Sequence, residues 1–255
     1  MDNNKPFSFS GSQAVEFLQD TVFRHFSNAG LNPHSTKEWK MGIFQLFGIE
    51  VINLPDLDKG NYVLASNHIS DFDAIILGLL HPGIRILSKM GWAANKQLMD
   101  FLGQHYDVAG IYRDYEISEM SQEKQAEARK HNYQITIDTL KYLKNDDTPR
   151  HLLIFPQGTI SDINKNSSKR VNPGFAKIAL AAKVQVVNIF IEYPEFGGIT
   201  RVVCGAPYAI ANRNLDHSRV WLDDVILLQN QLHNVRKPLL SEKHSLNNNP
   251  NEPFF

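Results

Sequence analysis

The chain has 255 residues, 42% of them hydrophobic and 21% charged, and a formal net charge of −1. That length and mix suit one or two soluble globular domains, and the charge balance excludes a global basic field for nucleic acid. The single cysteine, Cys204, excludes an internal disulfide and a Cys-rich metal site. Its apolar setting, Val202–Cys204, reads as a buried structural thiol, which fits a reducing compartment.

No stretch reaches the ~18 continuous apolar residues of a membrane span. Residues 1–12 are polar apart from Phe7 and Phe9, and carry neither the basic start nor the apolar core of a signal peptide. These features predict a loose N-terminal arm and an intracellular protein, soluble or bound to a membrane surface.

In Gln13–Ser27, Val15, Leu18, Val22 and Phe26 recur at helical spacing, with Phe17 and Phe23 widening the stripe. Gly30, Asn32 and Pro33 break it. Ser35-Thr36-Lys37-Glu38 then starts a second helix carrying Trp39, Ile43, Phe44 and Phe47. Packing on the main domain is the ordinary role of such stripes; a membrane-contacting or acyl-chain-lining surface is the sharper one. Phe47–Leu54 alternates as a strand, and Asp56–Asn61 is a turn. Strands follow at Tyr62–Ala65, Ile84–Ser88, Tyr106–Tyr112, Leu152–Phe155, Val184–Ile191 and Thr200–Cys204. Helices are predicted from Ala74, over Trp92–Leu102 with Gly103 as C-cap, over Glu116–Leu143 as one long or broken helix, over Pro173–Ala182 and over Leu215–Val235. Strand–helix alternation predicts an α/β fold: a largely parallel or mixed sheet flanked by helices, with a small N-terminal two-helix element. The expected division is residues 1–48 for that element, 49–240 for the catalytic domain and 241–255, rich in Asn and Pro, for a disordered tail.

The most informative stretch is Tyr62–Ile76, YVLASNHISDFDAII. An apolar strand ends at the polar corner Ser66-Asn67-His68, and a helix begins just beyond. A strand delivering a histidine to a loop is a common way to build a site. In His68-x4-Asp73 the carboxylate is spaced to hold the imidazole in the tautomer that accepts a proton from a hydroxyl. The plainer reading is that Asp71 or Asp73 only caps the helix and that His68 is an ordinary loop residue.

Three further islands each close a strand candidate: Gly110-Ile111-Tyr112-Arg113, Phe155-Pro156-Gln157-Gly158-Thr159 and the apolar run Val186–Ile191. Together with Asn67-His68-x4-Asp73, their order and spacing resemble the glycerolipid acyltransferase family, the lysophosphatidic acid acyltransferases and their relatives. The resemblance covers roughly residues 48–205 and includes Ser88-Lys89 and Pro173–Lys177, which look like the family's linking segments. It implies an O-acyltransferase of the 1-acyl-glycerol-3-phosphate acyltransferase type. Such an enzyme moves a fatty acyl group directly from acyl-coenzyme A or acyl carrier protein to a hydroxyl of a lysolipid acceptor. His68 is then the general base and Asp73 its orienting partner, while Arg113, Gln157, Gly158, Thr159 and Lys89 bind substrate. A guanidinium such as Arg113 grips phosphate oxygens bidentately, or simply pairs with Asp114 or Glu116. Gly158 permits a tight turn that turns amides toward substrate, or is a loop glycine; Thr159 donates a hydrogen bond or caps. No cofactor and no metal are implied beyond the thioester co-substrate. Lipid acceptors imply a cytoplasmic protein, peripheral at the inner membrane surface.

Two positions of the third motif depart from the family pattern. Gln157 stands where Glu is usual, and Ile160 where Arg is usual two positions after the glycine. The fourth motif carries Asn188 in place of a proline. Losing an arginine removes a charge-assisted contact of roughly 1.5–3 kcal/mol, which Lys165, Lys169 or Arg170 is near enough in sequence to replace. The departures point to an acceptor other than lysophosphatidic acid. Two rivals are a thioesterase using water and a non-catalytic lipid-binding protein. A metal-dependent hydrolase built on His68, Asp71 and Asp73 lacks a second histidine at ligand spacing.

Overall fold

The computed structural model describes residues 20, 22–32, 35–94, 96–145, 147–158, 160, 171–193, 199–210 and 216–246. Two helices come first, α1 (Phe23–Asn28) and α2 (Thr36–Phe47). The α2 start is the one predicted: the Ser35 hydroxyl accepts from the Glu38 amide. Gly48, in the left-handed conformation (φ 55°), ends α2 at Phe47 and turns the chain into β1 (Ile49–Ile52), so Phe47 belongs to the helix rather than to the predicted strand.

Six more strands follow: β2 (Tyr62–Ser66), β3 (Ile84–Lys89), β4 (Asp107–Ile111), β5 (His151–Ile154), β6 (Gln185–Glu192) and β7 (Thr200–Cys204). The described strands form one sheet in the order β1-β7-β6-β2-β5-β3-β4, parallel throughout except for the antiparallel β6–β7 pair. Parallel neighbours require crossovers, and helices supply them. α3 (Phe72–Gly78) joins β2 to β3; α4 (Met90–Ala93) and α5 (Lys96–Leu102) join β3 to β4. α6 (Asp114–Ser118) and α7 (Gln122–Leu143) join β4 to β5, α8 (Gly174–Ala182) joins β5 to β6, and α9 (His217–Leu246) closes the chain. The helix predicted over residues 92–102 is thus two pieces, and that over 116–143 breaks where Ser121 takes an extended conformation as the α7 N-cap. α9 runs six residues into the expected tail; residues 247–255 and 1–12 lie outside the described residues.

Both faces of the sheet are covered, which explains the continuous apolar runs of its central strands. On β6, Val187, Ile189 and Ile191 face one layer with α1, α2 and α3, while Val186 and Phe190 face the other with α8 and α9. The described stripe of the N-terminal element is spent on this packing. Phe26 stacks on Trp39 (5.1 Å) and Trp39 on His105 (5.0 Å), and the Trp39 Nε1–H donates to the Tyr106 hydroxyl (2.9 Å). Among the described residues no helix is long and apolar enough to cross a membrane.

Candidate active site

The carboxyl ends of the parallel strands share one rim, the usual ligand edge of such a sheet. β2 delivers the corner there. The Asn67 side chain continues the ladder past the end of β2: its amide donates to the Ile191 carbonyl (3.0 Å) and its oxygen accepts from the Ile191 N–H (2.7 Å). A buried asparagine thus acts as one more strand residue, and the chain leaves the sheet at His68. From the opposite face the Trp221 Nε1–H of α9 donates to the Ala65 carbonyl (3.1 Å), fixing the same strand from behind.

His68 Nδ1 lies 2.9 Å from Asp73 Oδ2. The Asp73 side chain is fully buried and that of His68 is 14% exposed. Asp73 Oδ2 also accepts from the amides of Ile69 (2.7 Å) and Ser70 (2.9 Å), and Oδ1 accepts from the Tyr193 hydroxyl (2.8 Å). An ionised carboxylate accepts only, so these donors match it and offset the cost of its burial. Asp73 ties the loop amides ahead of the helix and the imidazole with the same oxygen. Asp71, at the N-cap of α3, makes no side-chain cap. With Nδ1–H given to Asp73, the His68 Nε2 carries the lone pair a base needs.

The loop after β5 supports the imidazole. Phe155 stacks on the His68 ring (4.2 Å), and the Gln157 Oε1 accepts from the His68 main-chain N–H (2.7 Å). Gly158 sits at φ +70°, where only glycine is at ease, and its N–H donates to the Phe155 carbonyl (2.9 Å). That amide closes the turn after Phe155.

His68, Asp73, Gln157 and Gly158 are brought together; Lys89 and Arg113 stand farther along the same rim. Lys89 ends β3, and Arg113 follows β4, three strands from β2, or about 14 Å at ~4.8 Å per strand. The Arg113 guanidinium lies over the Tyr115 ring (6.0 Å), and the Glu116 carboxylate takes the Arg113 main-chain N–H instead. Among the described residues no carboxylate forms an ion pair with that guanidinium, so the alternative pairing with Asp114 or Glu116 is not made there. Thr159, Lys165, Lys169 and Arg170 lie outside the described residues. Asn188, the fourth-motif departure, donates to Asp224 of α9 (2.8 Å) and accepts from the Tyr208 hydroxyl (3.2 Å), fastening helix to sheet. Cys204 is buried, and burial pushes its thiol up to about 12, which makes it inert. No cluster of metal-ligating side chains occurs among the described residues.

Sequence reasoning missed Tyr193 and the role of Asn67. Tyr193 stands one residue beyond β6, 120 positions from its partner, with no local pattern to mark it.

No curated protein matches the chain. Among solved structures, the 1-acyl-sn-glycerophosphate acyltransferase PlsC from Thermotoga maritima is similar at 15% identity and a TM-score of 0.49, over 84% of this chain and 92% of that one. The acyltransferase family profile matches residues 48–192, from the α2 C-cap to the end of β6, a span that holds the histidine corner and the loops around it. With more than half of its length inside that match, the chain belongs to the acyltransferase family.

Proposed function

We propose that the protein is an O-acyltransferase that moves a fatty acyl group from acyl-coenzyme A or acyl carrier protein to a hydroxyl of a lysophospholipid or related lipid. The observation that carries this reading is the His68–Asp73 contact at 2.9 Å, on the open rim of the sheet and inside the family match. His68 Nε2 takes the proton of the acceptor hydroxyl as its oxygen attacks the thioester carbonyl. The tetrahedral intermediate collapses, the C–S bond breaks, and the imidazolium returns the proton to the departing thiolate. Phe155 and Gln157 hold the ring and main chain of the base. Gln157 replaces the usual Glu without losing the acceptor on the His68 N–H, which supports a working site over a mere binder.

Lys89 and Arg113 supply positive charge for an anionic headgroup along the rim. Ile160 removes a cation that relatives carry, so the preferred acceptor is less anionic than lysophosphatidic acid. The lipid substrate puts the working enzyme on a bilayer, peripheral at the inner membrane surface, with the N-terminal element on the membrane side.

The test is thiol release from palmitoyl-coenzyme A and from palmitoyl-acyl carrier protein, with lysophosphatidic acid, lysophosphatidylethanolamine and monoacylglycerol as acceptors, beside His68→Ala. Release that needs both acceptor and His68 is expected. Release indifferent to acceptor makes the protein a thioesterase, and silence with both donors makes it a binding protein. A clear preference for lysophosphatidic acid overturns the acceptor assignment. Arg113→Ala should raise KM for anionic acceptors about tenfold and leave that for monoacylglycerol unchanged.

A further inference from the structure

We infer that Tyr193 is a positioning residue for catalysis: its hydroxyl locks the Asp73 carboxylate so that one oxygen alone serves His68. The inference rests on the general-base reading of His68. The two carboxylate oxygens have separate duties. Oδ2 takes His68 Nδ1 and the Ile69 and Ser70 amides; Oδ1 takes the Tyr193 hydroxyl at 2.8 Å. Without that hydroxyl the donor seen on Oδ1 is gone. The carboxylate then turns more freely about its terminal bond, and the imidazole it holds loses its fixed plane.

The surroundings keep Tyr193 in this role. β6 passes the end of β2, since Ser66 pairs with Ile189, and the Asn67–Ile191 bonds clamp the overhang. Tyr193, next after the strand, therefore stands over the histidine corner. Its hydroxyl is buried; that burial, followed by the nearby Asp73 charge, raises its pKa well above the usual tyrosine range, so it remains a donor. Ser70 is a second hydrogen-bond partner of the hydroxyl, and Asp71 is the other charge that acts on it.

Tyr193→Phe deletes one oxygen and keeps the ring. Assayed on the full chain with palmitoyl-coenzyme A and its best acceptor, it should lower kcat about tenfold with KM within about twofold. In an Asp73→Asn background the same change should alter kcat less than about twofold, because the group through which it acts is gone. An unchanged kcat, or equal effects in both backgrounds, overturns the inference while a dead His68→Ala leaves the functional reading standing. An active His68→Ala overturns both.

Discussion

Lowering the pH should destabilise this protein through His151. The residue opens β5 at the end of the sheet away from the histidine corner and is fully buried. It stacks on Tyr62 (5.7 Å) and meets His81 edge-on (4.6 Å), and among the described residues neither ring nitrogen makes a hydrogen bond of ordinary geometry. Burial is the main force bringing its pKa from 6.5 down to about 4; His81 beside it acts in the same direction, while Asp58 and the Leu57 backbone oppose more weakly. The unfolded chain therefore takes this proton first. Above pH 6.5 both states are neutral and nothing is lost. Below 6.5 the unfolded state gains the proton alone, and the loss grows until about pH 4, where the folded state binds it too. At about 1.4 kcal/mol per pH unit the gap caps the loss at ~3 kcal/mol, with ~2 kcal/mol already gone at pH 5. Against a typical stability of 5–15 kcal/mol that is a large share. The assay is urea unfolding by tryptophan fluorescence at pH 7.5, 6.5, 5.5 and 5.0, for wild type and His151→Phe, which keeps an aromatic ring and removes the titration. Wild type should lose ~2 kcal/mol more than the variant between pH 7.5 and 5.0. Parallel losses, within ~0.5 kcal/mol, would refute the reasoning.

Gln157→Glu keeps the acceptor on the His68 N–H and should hold kcat within about threefold, whereas Gln157→Leu leaves that N–H unpaired and should lower kcat and cost about 1–3 kcal/mol in unfolding free energy. Gly158→Ala meets open space but must adopt φ +70°, so steady-state assay and melting should show reduced activity with a stability loss of about 1 kcal/mol. A Cβ on Gly42 would overlap the ring of Phe26, which is buried and stacked on Trp39; Gly42→Ala should cost about 1–3 kcal/mol in chemical denaturation and leave KM unchanged.

The strands were legible because both faces of the sheet are apolar, so Tyr62–Ala65 and Val186–Ile191 read as buried runs without help from alternation. The helix ends were legible where a cap is local, as at Ser35 and Gly48. His68 and Asp73 were legible because one turn of chain holds both partners, and a spacing records that. The rest of the site comes from contacts across the sheet. Gln157 reaches His68 over 89 positions and Tyr193 reaches Asp73 over 120, and no periodicity links such pairs. The motif reads Gln157 as a substrate contact; that its oxygen also holds the His68 main chain is something only the β2–β5 adjacency reveals. The strand order likewise sets Arg113 at a distance from His68 that the motif order hides.

That same strand order governs how the chain is made. The histidine strand lies between β5 and β6, so neither of its neighbours exists when residues 62–66 emerge during synthesis. At roughly 5–20 residues per second, β5 arrives roughly 5–20 s later. Through that interval a strand of five buried residues has no partner in its own sheet. The segment that builds the site is therefore also a point where the nascent chain is exposed to unwanted strand pairing, and ribosome-bound chains ending before residue 151 should be ones that chaperones hold.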